Sequence, residues 1–304
     1  MLDLENLAAG TLSKGYLSPK LGYPVKIPYF ILKGAKPGPT VLVTAGVHGA
    51  EYASIDAAYR VTKLDPKTLS GTVVILPIIS TPAFTSRSIY INPIDYKNLN
   101  RLFPGMAEGT FGEKLVYWLT EEFICKADAY IDLHGGDMIE ALTPFTIYQA
   151  GHTSSHELAK AFGIELLVAS DSEIMSFTAG ARQDIPSILA EASGQGLWLE
   201  AEVERLRLGV ERCLIHLGLL EGELEPKPHK DLSEFAWLRS EHEGLWYPYA
   251  VAGDRVKKNQ VVGEVKSLLG EPLQQAISSI DGIVLFSVSS LAINADDPLL
   301  GIGA

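Results

Sequence analysis

The chain has 304 residues, 47% of them hydrophobic, and a formal net charge of −12. That is enough apolar material for one large domain, or a large and a small one, and it excludes a disordered chain. The acidic balance, without any Lys/Arg run, argues against a nucleic-acid partner.

The opening MLDLENLAAG carries acidic residues early and lacks a basic segment followed by an apolar core, so no secretory signal is expected. Apolar runs such as GIVLFSV (282–288) are too short to span a bilayer. A cytoplasmic protein with no membrane partner is the expectation, and homo-oligomerisation stays open. Cys125 and Cys213 form no C-x-x-C pair and sit in apolar, helix-like contexts, so both read as small buried hydrophobes.

PVKIPYFILK (24–33) reads as a strand that GAKPGP ends, and TVLVTAG (40–46) as a second strand. AEYASIDAAYRVTKL has helical spacing, with Ile55, Ala58 and Tyr59 recurring on one side. GTVVILPIIS (71–80) is a third β-rich run, and strand–helix–strand in this order predicts a right-handed crossover and a largely parallel sheet. From Thr81 to about Gly109 the chain holds three prolines and little periodicity, which predicts a long functional loop. FGEKLVYWLTEEFI reads as a helix, ADAYIDLHGGD as a strand ending in His-Gly-Gly, and SSHELAKAFG as a short helix capped at Ser154 and stopped at Gly163. IPSILAEASGQG is a further strand, and WLEAEVERLRLGVERCLIHLGLL is the strongest amphipathic helix. This alternation gives an α/β domain over residues 1–225, with a mixed sheet flanked by helices. EGELEPKPHKD (221–231) reads as a linker, and short β-like runs without a helix give a small all-β domain over 226–304.

Four residues stand at predicted strand ends: His48 and Glu51 after TVLVTAG, His134 after AYIDL, and Glu191 after SILA. The carboxyl ends of strands in an open α/β sheet share one edge, where ligands bind. Two histidines and a glutamate are a common catalytic zinc set, so His48, Glu51 and His134 are the expected ligands of one zinc ion per chain. Glu191 is left as a carboxylate able to take a proton. The long loop adds Arg87, Asn100 and Arg101, and two arginines beside such an edge point to an anionic substrate. His152 and His156 lie one helical turn apart, but Ser-rich flanks place them at an exposed helix start rather than on a metal.

H-x-x-E at 48–51, N-R within NLNRLFPG, DLHGG, and the Glu of LAEASGQG together resemble the zinc carboxypeptidase superfamily. Within it the chain resembles the succinylglutamate desuccinylase and aspartoacylase family over most of residues 24–225. The resemblance implies His48, Glu51 and His134 as zinc ligands and Glu191 as general base and proton shuttle. It also implies Arg87 as the group polarising the scissile carbonyl, and Asn100 with Arg101 as the clamp on a substrate carboxylate. Arg182, in TAGARQDIPS, is a further candidate substrate contact. The sequence departs from the family at Asn98, where the family often carries Asp, which should weaken a contact behind the ligands. The C-terminal run resembles the lipoyl/biotinyl barrel-sandwich fold without a lysine-bearing hairpin, so no swinging arm is expected. In relatives this domain overhangs the site's mouth, and WYPY (246–249) is a candidate aromatic wall, with packing the stronger reading. The implied activity is amide hydrolysis of a small N-acylated amino acid. Alternatives are a carboxypeptidase acting on short peptides and a non-catalytic zinc-binding relative.

Overall fold

A computed structural model describes residues 6–304. The reading of MLDLENLAAG falls largely on residues 1–5, outside the described residues. In chain order the first part contains β1 (Thr11–Leu17), β2 (Ile27–Lys33), β3 (Lys36–Ala45), α1 (Tyr52–Val61), β4 (Ser70–Leu76), α2 (Thr81–Ser86) and α3 (Phe111–Glu122). It continues with β5 (Ala129–His134), β6 (Glu140–Leu142), β7 (Phe145–Gln149), α4 (Thr153–Phe162), β8 (Leu166–Ser170), α5 (Ser176–Ala181), β9 (Ser187–Glu191), α6 (Glu200–His216) and β10 (Lys230–Leu232).

All of these strands except β6 form one nine-stranded sheet in the order β1-β2-β4-β3-β5-β9-β7-β8-β10. The centre is parallel: β3 pairs with β4 on one side and β5 on the other, and β5 pairs with β9. β1, β2 and β7 introduce antiparallel pairings, so the sheet is mixed, as the fold class requires. The chain leaves β3 toward β4 and later returns to β5 on the other flank of β3. That reversal opens a crevice at the carboxyl ends of β3 and β5. The central strands are buried on both faces because helices cover both. Apolar faces of α1, α4 and α6 close one side, with Val203, Leu206, Val210, Cys213 and Leu214 of α6 recurring at helical spacing. α3 and Ala179 of α5 close the other.

The small part contains β11 (Phe235–Arg239), β12 (Gly244–Pro248), β13 (Arg255–Val256), β14 (Val261–Lys266), β15 (Pro272–Ile277), β16 (Gly282–Val288), β17 (Ala292–Ile293) and β18 (Pro298–Gly303). Two antiparallel sheets, β11-β18-β16-β13 and β15-β14-β12-β17, share a core around Trp246, Val262, Val265, Phe286 and Ile302. No helix occurs in this part, as the sequence predicts. The two parts interlock. β10, at the end of the expected linker, runs parallel to β8 in the large sheet, and β6 of the first part adds an antiparallel strand to β16 of the small one.

Several expectations are corrected. The stretch after Thr81 is not all loop: α2 occupies six residues of it, too few to show a period. α4 is capped by His152, whose Nδ1 accepts the Ser155 amide, rather than by Ser154; Gly163 does stop it, in left-handed geometry. β1, β7, β8 and α5 carry no reading in the sequence, since all are short or at sheet edges. Cys213 is buried and Cys125 half-buried, both free. No described helix is long and apolar enough to cross a membrane.

Candidate active site

The turn after β3 delivers His48 and Glu51 into the crevice. Gly46 adopts φ +63, a left-handed conformation that side chains disfavour. At Gly49 the reason for glycine is space: a Cβ there would lie 2.1 Å from the Phe84 amide nitrogen of α2. α2 therefore packs directly on the ligand turn, and Gly49 is small for that backbone and not for an ion.

Three donors meet under this turn. His48 Nδ1 lies 2.6 Å from Glu51 Oε1, and His134 Nδ1 lies 3.0 Å from Glu51 Oε2. The candidate donor atoms of the three residues all fall within 4.8 Å of one another. Each imidazole is fixed from behind. His48 Nε2 donates to Asn98 Oδ1 at 3.0 Å, and His134 Nε2 donates to the buried Asp132 Oδ2 at 2.9 Å. Asp132 in turn accepts from Thr44 Oγ1, which also contacts the Tyr130 hydroxyl. With both Nε2 atoms donating outward, the two Nδ1 atoms are left to face Glu51.

The electrostatics call for a cation at this point. Burial works against charge on Glu51, but His134 and His48 outweigh it and hold its carboxyl at about 2. Burial also opposes protonation of His134 and His48, yet Asp132 and Glu51 raise the first, and Glu51 the second, above the ordinary imidazole range. His134 Nδ1 is fully buried and faces Glu51 Oε2 at 3.0 Å. Two imidazole nitrogens closed on one buried carboxylate are a donor set that fits a divalent zinc ion, which would take the place of the protons they otherwise share.

Glu191 ends β9 next to His134. Burial pushes its carboxyl well above 4.5; His134 works the other way, while Glu51 and Glu140 reinforce the rise. Its Oε2 is buried and has no hydrogen-bond partner. Asn100 is buried; its Oδ1 accepts the Ser176 amide at 2.9 Å, which leaves the Nδ2 as its donor. Arg101 opens to the cavity with Nη1 on the Asn100 carbonyl at 2.9 Å. The flanking Leu99 and Phe103 are buried as expected, but Arg101 itself is exposed.

His48, Glu51, Asn100, Arg101 and Glu191 line one cavity of about 690 Å³, a size that suits a small molecule. Arg87 and Arg182 do not line it. Arg87 is exposed at the end of α2, at φ 52, and Arg182 is exposed beyond α5, 3.7 Å from Glu173. The first arginine's segment contributes Tyr90 to the lining instead. His152 and His156 diverge to Asp184 and Asp231, far from forming a pair on one ion.

Sequence reasoning missed Asp132, Tyr90, Glu140 and the wall from the small sheets. Asp132 was within reach, because Asp and His two apart on a strand share a face. Asn98 loses less than its departure from the family suggested, since an amide oxygen accepts from His48 as a carboxylate does. The aromatic wall comes from Phe235, Trp237 and Phe286, not from WYPY. Trp246 is buried in the small core, with Nε1 on the Val288 carbonyl.

A mixed α/β sheet with a His-Glu-His donor group and a raised carboxyl at its switch point defines a metallohydrolase-like class. Residues 37–217 match the succinylglutamate desuccinylase/aspartoacylase catalytic domain, and the chain belongs to that family. It is 32% identical over 255 residues to N-alpha-acetyl-L-2,4-diaminobutyric acid deacetylase of Halomonas elongata, covering 79% of this chain and 74% of that one. Among solved structures it is similar to a succinylglutamate desuccinylase/aspartoacylase from Rhodobacter sphaeroides (26% identity, TM-score 0.86, 100% and 98% of the two chains). It is also similar to the product-bound ectoine utilization protein EutE (DoeB) from Ruegeria pomeroyi (25%, 0.88, 100% and 97%).

Proposed function

We propose that this chain is a zinc-dependent deacylase that hydrolyses the amide of a small N-acylated amino acid. The observation that carries the reading is the closing of His48 and His134 on Glu51, with donor atoms within 4.8 Å of one another, beside the cavity that holds the raised carboxyl of Glu191. His48, Glu51 and His134 would hold the ion. Zinc, when bound, supplies Lewis acidity that polarises an amide carbonyl and makes a water more acidic. Glu191 accepts a proton from the attacking water and returns it to the departing amine, so that amide plus water becomes carboxylate plus amine. Asn100 Nδ2 and the Arg101 fork grip the substrate's carboxylate and orient the amide. Arg87, exposed outside the cavity, meets a carbonyl only after its segment swings inward; an Arg87→Ala variant with kcat within about threefold of wild type would remove it from the machinery. Arg182 is assigned no more than a peripheral contact.

Residues 1–225 are proposed as the hydrolytic part and 226–304 as the part that walls the mouth, in a cytoplasmic setting where free cysteines persist. The names of the relatives make N-acetylated diamino acids the first compounds to try. Metal analysis of the purified protein, with assays of N-acetyl and N-succinyl amino acids against short peptides, tests the reading. Zinc near one per chain with release of free amino acid is the expected result. Efficient peptide cleavage without deacylation would instead make the chain a carboxypeptidase. Protein without zinc, and inert when zinc is added, would make it a non-catalytic relative.

A further inference from the structure

Arg101 and Arg239 both line the cavity, the first from the large part and the second from the small sheets. Neither forms an ion pair with a carboxylate among the described residues: Arg101 Nη1 donates to the Asn100 carbonyl and Arg239 Nη1 to the Asp296 carbonyl at 2.6 Å. They are close enough for the charge of Arg239 to be felt at Arg101, where partial withdrawal from water and Arg239 act against protonation while Glu191 and Glu140 act for it. Both guanidinium groups keep N–H donors that no carboxylate takes up directly, so an anion bound between them would accept from both.

Arg239 is exposed at the cavity mouth but is braced by its neighbours. It ends β11, where the pairing with β18 slips between Leu238 and Arg239, an irregularity of the kind that re-aims a side chain. Its own carbonyl is held by Gln274 Nε2 at 2.9 Å. Its guanidinium sits 5.8 Å from the ring centroid of Trp237, a part-exposed ring that contacts Phe235 and Phe286. The brace from Asp296 uses one guanidinium nitrogen and a neutral acceptor, so the remaining N–H donors and the full charge stay open to the cavity.

We propose that Arg239 completes, with Arg101, a two-arginine subsite for the α-carboxylate of the substrate, so that substrate is gripped from both parts of the chain. The inference rests on the deacylase reading and deepens it. It makes the small sheets a contributor to specificity as well as a wall, and Arg239 a specificity-determining residue. A planar carboxylate can accept N–H groups from both forks at once.

The test uses the zinc-loaded full chain and the Arg239→Gln, Arg239→Lys and Arg101→Gln variants. Each is assayed on an N-acetyl amino acid, on an N-acetyl dicarboxylic amino acid, and on the descarboxy N-acetyl amine. Calorimetric binding of the free amino acid and of the descarboxy amine gives a readout independent of turnover. Arg239→Gln should raise KM about tenfold or more on the carboxylate substrates, change kcat less than about threefold, and weaken binding of the free amino acid by a similar factor. The descarboxy compounds should lose nothing. Arg239→Lys should recover part of the loss, since it keeps the charge and loses the fork. Unchanged KM and binding in Arg239→Gln, with Arg101→Gln still losing its preference for carboxylates, would overturn the inference alone. A loss confined to the dicarboxylic substrate would also overturn it, by making Arg239 a side-chain reader. If Arg101→Gln too leaves carboxylate preference intact, it is the proposed clamp itself that fails.

Discussion

His134 and Glu191 are direct Cα partners across the parallel pairing of β5 and β9. Adjacent parallel strands lie about 4.8 Å apart, so the sheet itself sets a candidate ligand and a candidate base side by side with no loop between them. The proximity is felt at Glu191: burial raises its carboxyl, and the histidine resists that rise without cancelling it. Glu191→Gln keeps shape and removes the proton acceptor. It is expected to bind zinc as the wild type does and to lose about 10²–10⁴-fold in kcat. Metal content and steady-state kinetics on the same sample check this, and a variant turning over near the wild-type rate would take the base role from Glu191.

The outer partners of the imidazoles make a separate prediction. Asp132 pins His134 and Asn98 pins His48 through Nε2, which keeps each Nδ1 on Glu51. Asp132→Ala and Asn98→Ala are each expected to weaken zinc binding about 10- to 100-fold. Asp132 is fully buried, so its loss should also lower stability, whereas Asn98→Asp should hold zinc at least as well as the wild type. Competition with a chelator of known affinity measures all three. Equal zinc affinity in wild type and Asn98→Ala would mean that His48 is oriented by the turn alone.

The sequence carried the central half of this site because its chemistry lies at the ends of long apolar strands. TVLVTAG, AYIDLH and SILAE each announce a strand by composition, and the topology of such strands brings their ends to one edge. The groups it did not carry sit where local pattern is silent. Tyr90 reaches the cavity from a left-handed position in an aperiodic segment. Glu140 arrives on a three-residue strand whose partner, β16, lies almost 150 residues on, and only long-range pairing shows it. Arg87 had the right charge in the right segment, but the six residues of α2 before it set its direction, and so short a helix leaves no period to read.

Glu140 offers a test by pH. Burial lifts its carboxyl to about 7, with its neighbours Glu51 and Asp137 adding to the rise, against about 4.5 when unfolded. The folded state therefore favours the protonated group. Its contribution is full below about pH 4.5 and is lost as pH rises through 7, by an amount on the order of 3 kcal/mol at most. Glu140→Gln cannot ionise and should escape that decline. With chelator present, wild type and variant should melt closest together near pH 4.5, and the variant should melt higher at pH 8. Parallel melting curves across that range would show that Glu140 titrates normally in the folded protein.

Gly49 tests whether the ligand turn depends on α2. A Cβ there would meet the Phe84 amide nitrogen at 2.1 Å and the Ala83 carbonyl carbon at 2.2 Å, both backbone atoms that cannot rotate aside. Either α2 or the turn must shift, and such overpacking costs about 1–3 kcal/mol. The turn carries His48 and Glu51, so its displacement should reach the metal. Gly49→Ala is expected to unfold at lower denaturant concentration than the wild type and to bind zinc more weakly. The Gly270→Ala variant serves as the comparison: Gly270 lies in the turn between β14 and β15 and has no atom near its Cβ position, so its φ of +85 gives backbone strain without a clash. It should lose some stability and no zinc affinity. Urea denaturation and zinc titration of both variants separate the effects. Full zinc affinity in a destabilised Gly49→Ala would show that the turn holds its geometry while α2 yields.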